Sequence, residues 1–118
     1  MYVEAQKDIT RAIELTPKSE KEMLGSQYSL LANIHIEQAD YDKALSAINS
    51  AIENSANKYP LLNTKGNICM HLNDWENAKK AFRQMQQINS RSQEAFFGLA
   101  RIAIAQGDIS MANTLMTE

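Results

Sequence analysis

The chain has 118 residues, with 12 lysines and arginines against 14 aspartates and glutamates and a net charge of −2. That is enough chain for one cored domain, and it offers no basic surface for nucleic-acid phosphates or an anionic membrane. A lone cysteine, Cys69, excludes an intrachain disulfide and a cysteine-based zinc site and fits a reducing compartment, the cytoplasm foremost. No apolar run reaches the roughly 18 residues of a membrane span, and the N-terminus lacks a signal-peptide layout, so the piece reads as soluble.

In chain order, residues 1–17 predict one amphipathic helix. Val3, Ala5, Ile9, Ala12 and Ile13 share a face, and Thr16-Pro17 stops it. Ser19-Glu20-Lys21-Glu22 has capping-box spacing, in which the Ser19 hydroxyl and the Glu22 carboxylate each accept from a free backbone N–H at a helix start. A second helix is therefore expected from there to about Gln38, with Leu24, Tyr28, Leu31, Ala32 and His35 on one face. Asp40 then caps a third helix striped by Tyr41, Ala44, Leu45, Ile48, Ala51 and Ile52. So short a connection predicts an antiparallel hairpin, with Ala32 and Ala44 small because the helices come closest there.

The pattern then starts again. Pro60 fits the first turn of a helix, where its missing N–H is no loss, and Leu62, Gly66, Cys69 and Leu72 follow on one face. The next stripe is Trp75, Ala78, Ala81, Phe82, Met85 and Ile88. Ser90-Arg91-Ser92-Gln93 is a second capping-box candidate, opening a helix with Phe96, Leu99, Ala100 and Ala103 inward. A last helix is expected from Asp108, carrying Ile109, Ala112, Leu115 and Met116.

Three six-residue stretches organise these elements: Ala39 to Ala44, Asn73 to Ala78 and Gly107 to Ala112, each 34 residues after the last. A fixed period of this length points to a stacked helical array. The chain resembles the tetratricopeptide repeats. Ala32, Gly66 and Ala100 match the family's small residue in the first helix. Tyr41, Trp75 and Ile109 stand at its aromatic turn position, and Ala44, Ala78 and Ala112 match its second-helix alanine. Ile48, Phe82 and Met116 match the bulky residue that follows. The later alanine is kept at Ala51 but replaced by Met85. The resemblance implies an all-α, right-handed superhelical solenoid of antiparallel helix pairs. Residues 1–17 would be the second helix of a partial preceding repeat. Three repeats would occupy about residues 25–58, 59–92 and 93–118, the last truncated, in one continuous solenoid domain. Between Ala12 and Ala51 the spacing is 39 rather than 34, so the helix that starts near Ser19 is expected to be more than a turn longer.

In such an array the first helix of each unit lines a concave face. The positions expected to point into it are Asn33, Asn67 and Arg101, again 34 apart. Ser29, Asn63 and Phe97 and the column Ile36, Met70 and Ile104 stand nearby, with Glu37 and His71 at the edge. Asparagine amides suit the backbone of a bound peptide, and an arginine fork suits a carboxylate. Some members of the family grip a chaperone's C-terminal carboxylate with basic residues, and this chain departs from them, carrying Glu94 and Gly98 near where those would stand. The expected partner is a protein segment, held more by apolar pockets than by a charge clamp.

Against these stand blander readings. His35 reads as a core residue with its ring nitrogens satisfied, Cys69 as a small buried hydrophobe and Trp75 as a packing residue. Met85, Met111 and Met116 read as core or end-face filler. Asp40, Asp74 and Asp108 read as helix caps rather than a carboxylate array. No cofactor, metal set or catalytic constellation is present in the sequence, so the chain reads as a non-enzymatic interaction module. The rival reading is a self-associating module that pairs through its end helices as a homodimer. It opens inside a repeat and closes short of a full last helix, which suggests a segment of a longer protein.

Overall fold

A computed structural model of the chain describes residues 2–107. Six helices follow one another: α1 (Tyr2–Leu15), α2 (Lys21–Glu37), α3 (Tyr41–Asn54), α4 (Tyr59–His71), α5 (Trp75–Ile88) and α6 (Gln93–Ala105). No strand occurs among the described residues. The helices gather into two compact units, one ending at Leu61 and the other beginning at Leu62, inside the first turn of α4.

In the first unit α2 packs on both α1 and α3. Ala32, Ala44, Ile48 and Ala51 are fully enclosed, and Ile9, Leu24, Ile34 and Ala47 complete the core. The small residues let the α2 and α3 backbones approach, as the sequence pattern requires. α2 runs 17 residues against 13 in α4 and in α6, about one turn longer, which absorbs the extra residues of the first period. Along α1, from Val3 on, Ile9 alone is buried, while Val3 and Leu15 are exposed.

The signature stretch has a definite geometry. At the end of α2, Ala39 adopts φ +57°, its N–H donates to Ile36 O at 2.9 Å, and the Asp40 N–H donates to His35 O at 2.9 Å. These two bonds define a Schellman stop. Asp40 then caps α3, its Oδ1 accepting from the Lys43 N–H at 3.5 Å. Asn73 and Asp74 repeat the arrangement between α4 and α5. Asn73 has φ +59°, its N–H donates to Met70 O, the Asp74 N–H donates to Cys69 O, and Asp74 Oδ1 accepts from the Asn77 N–H at 3.4 Å. Gly107, after the end of α6, has φ +82°, and its N–H donates to Ile104 O at 3.0 Å. Two consecutive residues thus stop one helix and start the next, which is why each hairpin turns so tightly. Asp108, Ile109, Met111, Ala112, Leu115 and Met116 lie outside the described residues.

In the second unit Phe82 is fully enclosed, with Gly66 of α4 and Gly98 of α6 both against its ring. Ile68, Cys69, Ala78, Met85 and Ile102 are buried in the same unit.

Both capping boxes are corrected. Glu20, not Ser19, precedes the first helical residue of α2, and it makes no side-chain cap. The Glu20 N–H donates to Pro17 O, so the chain makes one more turn before the helix begins and carries Ser19 out of range. The Glu22 carboxylate instead accepts from the Ala56 N–H at 2.8 Å, tying α2 to the loop after α3. At α6 the cap is Ser92, whose Oγ accepts from the Ala95 N–H at 3.1 Å, while Ser90 lies in the preceding turn. Ile88 is also corrected. It falls on the inward face of α5, but as the helix's last residue it has no further turn to close over it and stands 57% exposed. His35 is buried as expected, yet its Nδ1 has no hydrogen-bond partner.

Candidate functional site

Two side-chain hydrogen bonds join the outer faces of α4 and α6. Asn63 Nδ2 donates to Glu94 Oε2 at 3.1 Å, and Arg101 Nη2 donates to Asn67 Oδ1 at 2.8 Å. These bonds exist because α4 and α6 carry the same register one period apart. Gly66 and Gly98 turn toward Phe82, which leaves the opposite face of each helix to its polar residues.

The resulting surface belongs to the second unit alone. Asn67, Met70, His71 and Arg101 line one hollow. Along α6 the row Glu94, Phe97, Arg101 and Ile104 is exposed, and the two apolar members stand 55% and 56% open to solvent. Asn63, Asn67 and Met70 on α4 are half-buried, and His71 at its end is exposed. Asn33 holds the equivalent position on α2 in the first unit and is exposed there, with Ser29 and Ile36 half-buried and Glu37 exposed.

Hydrogen-bond polarity decides what this hollow can take. Arg101 takes one of the two lone pairs of the Asn67 oxygen, and the Asn67 amide N–H pair and the remaining guanidinium N–H groups outnumber the acceptor capacity left there. The hollow is rich in donors and carries one positive charge. The sequence marked Asn67 and Arg101 as separate ligand contacts; that they bond to each other was signalled only by their shared 34-residue spacing. Glu94 is engaged by Asn63, and Gly98 faces the core and contributes nothing to the surface.

Elsewhere the chemistry is sparse. Cys69 is buried, and its thiol titrates above the usual range because burial disfavours the thiolate; Asp74 adds to the shift and Lys65 opposes it. Among the described residues no three histidines, cysteines or carboxylates gather where a metal ion could be held. No described helix is long and apolar enough to cross a membrane. Sequence reasoning missed a polar hollow in the first unit, lined by Glu22, Ser26, Ser29, Ser55, Asn57 and others, which the Glu22 bond to Ala56 helps to shape.

The family model for the tetratricopeptide repeat matches residues 28–58 and 59–91. Among solved structures, the crystal structure of MamA matches with a TM-score of 0.79 at 10% identity, over 97% of this chain and 64% of that one. At so low an identity the likeness is one of fold. The chain spans under two thirds of the MamA chain. No curated protein sequence matches it.

Proposed function

The chain belongs to the tetratricopeptide repeat family, helical-repeat scaffolds of protein–protein interaction that are generally non-enzymatic, and we propose that it binds a segment of a partner protein on the α4/α6 face. What supports this reading is the bonded pair Asn67–Arg101, flanked by Phe97 and Ile104, large apolar side chains left more than half exposed. Asn63, Met70 and His71 extend the surface along α4, and Asn33 offers a like position on α2 of the first unit. Exposed aromatic and aliphatic side chains next to a donor-rich polar centre are the usual make-up of a binding hot spot.

Affinity capture with mass spectrometry identifies the partner, and calorimetry then compares the native chain with the Asn67→Ala, Arg101→Ala double variant. The expected loss is at least about tenfold, or 1.4 kcal/mol. Equal affinity removes this face from consideration.

One observation favours a second reading, self-association. Val3 and Leu15 on α1 are 61% and 72% exposed, and Ala5, Ile9, Leu30 and Ile34, with Asp8 among them, line a largely apolar hollow between α1 and α2. Sedimentation across a concentration series separates the two, since a strict monomer at the highest concentration disposes of self-association.

A further inference from the structure

The outer row of α6 has more order than a generic binding face. Glu94, Phe97, Arg101 and Ile104 follow at intervals of three, four and three residues, so they form one stripe along the helix. With a rise of about 1.5 Å per residue, Phe97 stands about 6 Å to one side of Arg101 and Ile104 about 4.5 Å to the other. The centre is a cation, and both flanks are apolar and more than half exposed.

We propose that the occupant of this face is an amphipathic helix of the partner, carrying an aspartate or glutamate between two large apolar residues at helical spacing. The proposal rests on the protein-binding reading above and names the class of partner that reading leaves open. The spacing of the stripe selects a helix over a strand. An extended strand presents same-side residues about every 6.7 Å, so after matching Phe97 and Arg101 its third residue overshoots Ile104 by about 3 Å. A helix repeats the spacing of the stripe itself, placing residues i, i+4 and i+7 against it.

The polarity of the centre selects an acid. Arg101 has one N–H engaged with the Asn67 oxygen, and its remaining N–H groups and the Asn67 amide N–H pair put a positive charge and a majority of donors beside Met70 and His71. An acceptor-only anion satisfies that set, and a basic or apolar residue there would leave donors desolvated and unpaired. A side-chain carboxylate fits better than a chain terminus. Because apolar side chains continue on both sides of Arg101, a chain that ended there would leave either Phe97 or Ile104 uncovered. Glu94, one stripe position beyond Phe97, sets direction by favouring a base about two turns from the central acid.

The test uses a library of amphipathic helices displayed inside a helical scaffold, so that no free terminus is offered, and selected on the whole chain. Selected sequences are then made as C-terminally amidated peptides and measured by calorimetry. The expected result is enrichment of Asp or Glu flanked by large apolar residues at i−4 and i+3, or the reverse. Affinity should fall at least about tenfold when the acid becomes its amide and in Arg101→Ala. Selection on Arg101→Glu should exchange the acid for Lys. Circular dichroism shows whether each variant is folded, and Phe97→Ser supplies an independent check on the same face.

Sequences that lose binding in Phe97→Ser but carry a neutral or basic centre overturn this inference and leave the protein-binding reading standing. So do peptides that bind only with a free C-terminus. Peptides indifferent to both Phe97 and Arg101 dock elsewhere and overturn it as well. A library that enriches nothing overturns this inference, while the protein-binding reading falls only if affinity capture also yields no partner sensitive to Asn67 and Arg101.

Discussion

Arg101 and Asn67, 34 residues apart, meet through a single 2.8 Å hydrogen bond on an exposed face, with no buried group depending on it. An exposed bond of this kind contributes little to folding, because water replaces either partner at small cost. Arg101→Ala and Asn67→Ala are each expected to change unfolding free energy by less than about 1 kcal/mol in urea titrations. Their double-mutant coupling should be of the same small size. A loss above about 2 kcal/mol would make the pair a structural tie and weaken its case as a binding element.

The Phe82 ring gives the opposite expectation. A Cβ added at Gly66 would stand 2.5 Å from Phe82 Cζ, and one added at Gly98 would stand 2.5 Å from Cε1. Both contacts fall on the Cζ–Cε1 end of a ring that is fully enclosed and has no open space to move into. Helix propensity alone would make Gly→Ala stabilising by about 1 kcal/mol. Overpacking at a fully enclosed ring should win, so Gly66→Ala and Gly98→Ala are each expected to destabilise by about 1–3 kcal/mol. Adding Phe82→Leu to either variant frees space and should recover part of that loss. A gain in stability from either single substitution would show that the ring can move aside at that glycine.

How much of this was legible in the sequence depends on the range of the interaction. Asp40 and Asp74 were readable as caps, because a cap is settled by a carboxylate, three residues of helix and nothing else. The burial of Ala32, Ala44, Phe82 and Cys69 was readable from helical periodicity. Ser19 misled because the spacing of a capping box says nothing about the turn that precedes it, and one extra turn at Pro17–Glu20 passed the cap position to Glu20. Ser92 rather than Ser90 for the same reason begins α6. The candidate face was legible only as positions. Asn63 with Glu94 and Asn67 with Arg101 are contacts between helices about 30 residues apart, and no local pattern specifies which polar side chain turns toward which.

The turn at Ala39 is a stored cost. An alanine at φ +57° carries its Cβ against the backbone, which costs about 1–2 kcal/mol relative to glycine. Replacing it adds freedom to the unfolded chain, which returns about 0.4–1 kcal/mol of that. Ala39→Gly is therefore expected to stabilise by about 0.5–1 kcal/mol in chemical denaturation. Asn73→Gly should gain less, since asparagine tolerates this conformation. Destabilisation by Ala39→Gly would mean that the methyl group makes contacts worth more than the strain.

Cys69 supplies a prediction about pH. Its thiol is held above its ordinary value of 9.0 first by burial and then by Asp74, with Lys65 opposing. The folded chain therefore keeps this proton at pH values where the unfolded chain has begun to lose it. The stability that follows is fully present below the unfolded pKa and is lost as pH rises through the folded one. Unfolding free energy should be flat in this respect through neutral pH and decline above about pH 8.5. Cys69→Ala should abolish that portion of the alkaline decline while leaving the contribution of lysines and tyrosines. In native buffer at pH 8 the thiol should react with an aromatic disulfide reagent far more slowly than in urea, because the thiolate is both scarce and covered. Equal rates in the two conditions would place Cys69 at the surface and contradict the burial on which the shift depends.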